Sequence, residues 1–174
     1  MTKPRRCAPA RASEVRRLGA ADFDAYAALV YEVDASHHRS LPDIIRSPKR
    51  ARVKLSEFAA AVRDPDQRYF GVDQNGVLCG FVQARFYENT GDRTMKPFRF
   101  ISVDLISVTK AAQRKGVGRA LMTAVADWGR RRKARVIQLG VWEFNRGAIA
   151  FYERLGFEIA IRYMNCSLKR RARR

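Results

Sequence analysis

Hydrophobic positions change their spacing several times along the chain, and each change predicts an element. Residues 14–18 read as a short strand. Residues 21–34 read as a helix in which Phe23, Ala27 and Val30 share a face, with Tyr26, Leu29 and Val33 beside it. His37-His38-Arg39-Ser40-Leu41-Pro42 breaks that period and predicts a loop. Ser56 reads as the N-cap of a second helix over 57–63, which stops before Asp64-Pro65. The period then drops to two. Residues 69–73 predict a strand, Asn75-Gly76 a hairpin turn because that pair takes positive φ cheaply, and 77–87 the returning strand. After a polar loop over 88–96, residues 99–108 carry Ile101, Val103 and Leu105 in alternation before Ile106 and Val108. That slip of phase predicts a β-bulge near Leu105.

Helical spacing returns over 116–132, where Val117, Ala120, Leu121, Ala124, Val125 and Trp128 follow one face. Residues 136–141 are nearly all apolar and predict a short strand covered on both faces. Residues 146–155 predict a helix with Ala148, Phe151, Tyr152 and Leu155 on one face and Gly156 at its end. Residues 157–168 predict a closing strand. The order β-α-α-β-β-β-α-β-α-β describes an α/β fold, a mixed sheet flanked by helices.

Composition narrows the class. A chain of 174 residues fits one domain, expected over 14–168, with a basic extension over 1–13 and a basic tail over 169–174. Cys7, Cys79 and Cys166 are an odd count with no C-x-x-C pair, which argues against a disulfide scaffold or a cysteine zinc site. No metal is expected, and Cys79 and Cys166 are read as small core residues in strands. No apolar stretch approaches the ~20 residues that span a bilayer, and the N-terminus lacks the apolar core of a signal peptide. A cytoplasmic protein with no membrane partner is the expectation. The net charge of +18 is concentrated at the ends: residues 1–17 and 169–174 together hold +10 of it, leaving +8 for the body. Such ends suit weak contact with nucleic acid or an acidic partner, or simple solvation.

The most informative stretch runs through Gln113-Arg114-Lys115-Gly116-Val117-Gly118-Arg119. A strand ends, a short basic loop follows, and a helix begins at two closely spaced glycines. The first turn of a helix offers free N–H groups and the positive end of its dipole, and glycine lets a phosphate approach. This describes a diphosphate site. A dinucleotide fold would want a third glycine at Leu121 and an acid ending the next strand; a Walker-type phosphate-binding loop would want Gly-Lys-Ser/Thr. None is present.

The stretch resembles the Q/R-x-x-G-x-G/A loop of the GNAT superfamily of acyl-CoA-dependent N-acyltransferases. Asn145-Arg146-Gly147-Ala148-Ile149-Ala150-Phe151-Tyr152-Glu153-Arg154-Leu155-Gly156-Phe157 is similar to that family's second signature, N-x-x-A-x-x-F-Y-x-x-x-G-F. The resemblance implies a mixed, mostly antiparallel sheet with splayed central strands and about four flanking helices. It implies acetyl-CoA as cosubstrate, with its pyrophosphate held by Gln113, Arg114, Lys115, Gly116, Val117, Gly118 and Arg119. The backbone of Ile106 and Val108 would pair with the pantetheine arm, and Asn145 would hydrogen-bond the cofactor. Tyr152 would protonate the leaving thiolate, and Asp104 would serve as general base. Glu88 is the second choice for that base, with Ser107, Glu143 and backbone carbonyls left open.

The expected activity is transfer of acetyl to a primary amine of a protein or small molecule. Arg46, Lys49, Arg50, Arg52 and Lys54 lie near the family's acceptor side and favour an amine in an acidic context or an acceptor bearing an anionic group. His37 and His38 are read as loop residues, either solvated or lining the acceptor site. The oligomeric state stays open, a homodimer included. The alternative is a silent GNAT-like domain that binds nucleic acid or an acidic partner through its ends.

Overall fold

The computed structural model describes residues 14–166 and 168. It divides into two compact units, one up to Gly140 and one from Val141. The first is built on a five-stranded sheet whose strands lie in chain order: β1 (Val15–Arg17), β2 (Gln67–Gln74), β3 (Val77–Asn89), β4 (Phe98–Val108) and β5 (Val136–Leu139). All neighbours are antiparallel except β4 and β5, which run parallel. Three helices complete this unit: α1 (Phe23–Ser40), α2 (Leu55–Ala61) and α3 (Val117–Arg131).

One face of the sheet holds an aromatic core. Tyr26 of α1 and Phe58 of α2 stack at 4.6 Å, and both meet Tyr69 of β2 edge-on, while Phe81 of β3 lies 4.7 Å from Tyr26. The other face carries α3, whose Val117, Leu121, Val125 and Trp128 are buried at helical spacing. The close approach of α3 is set by small residues: a Cβ at Gly80 of β3 would come within 2.9 Å of the Val117 side chain. The hairpin turn forms as expected, with Asn75 and Gly76 at φ 54° and 77°.

Four expectations are corrected in this unit. The segment over His37–Ser40 is not a loop: α1 continues through it and ends at Leu41 (φ −137°, ψ 60°), since the residue before Pro42 is steered out of the helical region. Arg39 there suits the negative end of the helix. Ser56 is not the N-cap. Lys54 takes that place with extended backbone, its carbonyl accepting from Phe58 N at 3.0 Å, so α2 starts at Leu55 and ends two residues short of the predicted end. β5 is shorter than the predicted 136–141 and is not covered on both faces, because Val136 and Gln138 remain exposed.

The second unit contains α4 (Arg146–Glu153), which ends, as predicted, just before a left-handed Gly156 (φ 86°). The closing strand does not form. Residues 157–166 are not in a strand, and Ile159, Ile161, Tyr163 and Met164 are exposed. The alternation of Ile159, Ile161 and Tyr163 gives the strand its sequence pattern, but a strand is made by a hydrogen-bonded neighbour, and these residues have none among the described residues. Cys166, expected in that strand's core, is therefore exposed, whereas Cys79 is buried in β3. The basic ends over 1–13 and 169–174 lie outside the described residues.

Candidate active site

From Val108 at the end of β4, a single 3₁₀ turn over Lys110–Ala112 leads through residues 113–116 into α3. The loop turns on two left-handed residues, Arg114 at φ 64° and Gly116 at φ 87°. A Cβ at Gly116 would meet nothing within 4 Å, so backbone conformation alone calls for glycine there. Arg114 adopts the same region with a side chain, at a cost of about 1–2 kcal/mol. Gly116 is the N-cap of α3 and provides no side-chain acceptor. The first bond inside the helix runs from Ala120 N to Gly116 O at 3.0 Å, so the N–H groups of Val117, Gly118 and Arg119 precede it. The Val117 side chain is buried and anchors this turn, while Arg114, Lys115 and Arg119 are exposed around it. Left-handed turns of this kind gather N–H groups into a concave anion site, and a diphosphate fits the donor set. Gln113 has a role the sequence did not announce: its Nε2 donates to the Val108 carbonyl at 3.0 Å and ties the loop to β4.

The phase slip in β4 is a real bulge. Val103 pairs with Ala84 and Leu105 with the adjacent Gln83, which leaves Asp104 between them without a partner in β3. β4 and β5 lie side by side only from Phe100 and Val136 to Val103 and Leu139. Beyond that point residues 104–108, with Ile106 and Val108 among them, have no strand on their outer edge among the described residues. Asp104 thus stands where the two central strands part company.

Its surroundings add residues that the sequence reading missed. Asp104, expected as the general base, has no pairing with Arg99, which pairs with Glu88 at 2.8 Å. That pairing engages the second-choice base. Asp104 Oδ1 instead accepts from Ser102 Oγ at 2.8 Å, and Oδ2 lies 3.8 Å from Arg85 Nε. Arg85 Nη2 donates to Gln67 Oε1 at 3.2 Å, and Gln67 Nε2 donates to Asp64 Oδ2 at 2.8 Å. A polar chain therefore runs from the end of α2 to the bulge. It borders a cavity of about 420 Å³ lined by Val53, Phe58, Ala61, Tyr69 and Arg85 among others. The only signal for Arg85 was its place in an alternating strand, which reads as solvent-facing, and Gln67 lay outside the strand expected over 69–73.

The α1 side of this face is also polar. Tyr26 donates its hydroxyl proton to Gln83 Oε1 at 3.1 Å, and burial raises its pKa well above the ordinary tyrosine range. Burial likewise pushes Tyr69 up to about 12. His37, on α1 rather than in a loop, is lowered by burial against the opposing effect of Asp34. His38 Nδ1 lies 2.6 Å from the Ile45 carbonyl.

In the second unit, Asn145 caps α4, its Oδ1 accepting from Ala148 N at 3.1 Å. The cap leaves its NH₂ group for another partner. Tyr152 is buried against the rings of Phe151 and Phe157 at 5.2 and 5.6 Å, and burial pushes its hydroxyl up to about 12. Glu143 pairs with Arg146 at 2.7 Å. Among the described residues no group of three His, Cys, Asp or Glu side chains comes together as a metal site would require. No helix among them is long and apolar enough to cross a membrane.

Residues 31–157 match the acetyltransferase (GNAT) family. The streptothricin acetyltransferase of Streptomyces lavendulae is 30% identical over 156 residues, covering 85% of this chain and 78% of that protein. An uncharacterized N-acetyltransferase of Methanocaldococcus jannaschii is 34% identical over 98 residues, covering 55% of this chain. The chain spans only 41% of that relative's length. Among solved structures, a mutant of the BH1408 protein from Bacillus halodurans matches with a TM-score of 0.85 at 24% identity, covering 90% of this chain and 99% of that one. The aminoglycoside N-acetyltransferase AAC(6')-Iy, solved in complex with CoA, matches with a TM-score of 0.64 at 17% identity, covering 90% of this chain and 99% of that one. With the family matched over most of the chain and the Streptomyces relative matched over most of both lengths, the chain belongs to the GNAT family of acetyltransferases.

Proposed function

We propose that this protein is an acetyl-CoA-dependent N-acetyltransferase that acts on the primary amine of a small molecule. The observation that carries the proposal is the continuous stretch from Asp104 to Arg119. It joins a bulged strand, whose outer edge is free among the described residues, to a cluster of N–H groups at the start of α3 that no side chain caps. The free edge suits an extended, amide-bearing arm, and the N–H cluster suits a pyrophosphate. Acetyl-CoA brings both, and a relative of the same family acetylates the small molecule streptothricin.

Acetyl-CoA supplies an activated acetyl group, whose carbon–sulfur bond breaks as the carbon–nitrogen bond forms. The N–H groups of Val117, Gly118 and Arg119, with the cations of Arg114 and Lys115, hold the diphosphate. The backbone of Ile106 and Val108 aligns the arm. One lone pair of the Val108 carbonyl is already used by Gln113, and the second is left for that purpose. Asp104 takes the proton that the amine gives up on bonding carbon. Tyr152, on the helix that resembles the family's second signature, delivers a proton to the departing sulfur. Burial keeps that hydroxyl protonated throughout the neutral range. Asn145 holds the cosubstrate through its free NH₂ group.

The test is release of free thiol from acetyl-CoA across a panel of primary amines, with acetyl-CoA binding measured separately. Gly118→Glu places bulk and negative charge at the diphosphate and should abolish binding in a folded protein. Unchanged affinity would mean that the diphosphate lies elsewhere.

A further inference from the structure

We infer that the acceptor is an α-amino acid, with Arg85 binding its carboxylate while Asp104 meets its amine. The inference rests on the reading of Asp104 as the group that receives the amine's proton, and it adds a substrate class and a specificity residue to that reading.

The argument starts from an unmet donor. Arg85 has five N–H donors in a flat fork, and the Nη2 contact to Gln67 uses one of them. Its Nε is buried and has no hydrogen-bond partner. A buried donor without an acceptor is costly, and it marks this guanidinium as short of partners. The nearest carboxylate, Asp104, has Oδ2 at 3.8 Å from that Nε, which is an ion pair and too long for a hydrogen bond. Ser102 holds the other oxygen of Asp104, so Oδ2 is the one turned toward the guanidinium. The two opposite charges stand side by side, and with 40% of the Arg85 side chain and 30% of the Asp104 side chain exposed, both still present surface to a ligand.

That spacing selects the ligand. A lone anion on Arg85 would sit against the Asp104 carboxylate, and a lone cation on Asp104 would sit against the guanidinium. A zwitterion with its charges about 3 Å apart satisfies both, laid alongside in the opposite sense so that four charges alternate. An α-amino acid has one carbon between its ammonium and its carboxylate and meets that requirement. The Nη end of the Arg85 guanidinium, on a side chain 40% exposed, also offers the paired donors that a carboxylate accepts best. Arg85 lines the cavity of about 420 Å³, whose Val53, Phe58 and Ala61 walls leave room for the acceptor's side chain.

The step balances as before. The α-ammonium loses a proton to Asp104, its nitrogen bonds the acetyl carbon, and the carbon–sulfur bond breaks, with the sulfur taking a proton. The carboxylate is unchanged and stays on Arg85. The product is an N-acetylamino acid.

The experiment compares L-leucine, L-methionine and L-lysine, each with its methyl ester and its decarboxylated amine, by thiol release from acetyl-CoA. The parent protein should favour the best acid over its ester by about 100-fold in kcat/KM, the scale expected when a charged binding partner is removed. In Arg85→Gln that ratio should collapse to within a few-fold of one, through a raised KM for the acid. Arg85→Lys keeps the charge but loses the fork and should give an intermediate ratio, which serves as the test if the glutamine variant does not fold. Equal turnover of acid and ester by the parent would overturn this inference and leave the acetyltransferase reading standing. An undiminished acid preference in both variants would overturn the assignment to Arg85. No turnover of any amine would overturn both readings.

Discussion

Tyr152 lies buried between two phenylalanine rings, and its hydroxyl is the side-chain group to which the proposed mechanism gives the leaving-group proton. Tyr152→Phe keeps the ring packing and removes the donor. We expect kcat to fall by ~10²-fold or more where chemistry limits the rate, with acetyl-CoA affinity little changed. A near-normal kcat would reduce Tyr152 to a packing residue. The same burial has a consequence for stability. Because the folded protein holds the proton up to about 12 and an unfolded chain only to about 10, stability is intact below pH 10 and declines between 10 and 12. The slope approaches ~1.4 kcal/mol per pH unit for each such tyrosine, and Tyr69 shares the window. Thermal unfolding from pH 8 to 12 should therefore show a shallower alkaline loss in Tyr152→Phe than in the parent.

Among the elements, the contact between β3 and α3 decides where the proposed diphosphate site sits. An added methyl at Gly80 would press on Val117 Cγ1 at 2.9 Å and on the Ser107 carbonyl at 3.1 Å, and the backbone contact cannot rotate away. Gly80→Ala should cost about 1–3 kcal/mol and should also weaken acetyl-CoA binding, because Val117 is the first residue of α3. Chemical denaturation and a binding titration check the two effects. Elements with local signals were legible from the residues. Val117, Leu121, Val125 and Trp128 announce α3 by spacing alone, and Asn75-Gly76 announces its hairpin. The bulge at Asp104 showed as a slip of phase between Leu105 and Ile106. What failed was whatever depends on distant parts of the chain. Residues 157–168 have a strand's alternation, yet pairing, not pattern, makes a strand. Arg85 alternates like a surface residue, and its Nε is buried where α2 borders the same cavity. His37 and His38 look like a break in apolar spacing, but a polar helix end tolerates them.

For the molecule as a whole, the excess of positive charge is divided between the ends and the body. The body has a basic cluster of its own: burial and the neighbouring Arg17, Arg132 and Arg131 lower Arg68, whose guanidinium lies 5.3 Å over the Trp128 ring. Arg132 in turn pairs with Asp66 and lies over Phe86. Removing residues 1–12 and 169–174 should leave turnover of a small amine unchanged. Affinity for a DNA or RNA oligonucleotide should drop sharply, and its dependence on salt should flatten. A large loss of small-amine turnover would instead mean that an end helps to build the active site.

The bulge in β4 has one more consequence, for how such a protein can diversify. Asp104 is the residue of that strand that the register of β3 skips. Exchanging its side chain removes the contacts to Ser102 and Arg85 but no register pair of the ladder, so the chemistry offered to the incoming amine can be altered at little expense to the sheet. Deleting the residue has a different effect. Val103 would stay opposite Ala84 and Leu105 opposite Gln83, so the residues from Leu105 to Val108 would keep their faces, but the ladder would become regular and β4 would lose the local bend that the bulge gives it. Substitution at this position thus changes chemistry at fixed geometry, whereas loss of the residue changes the course of the strand where it leaves β5.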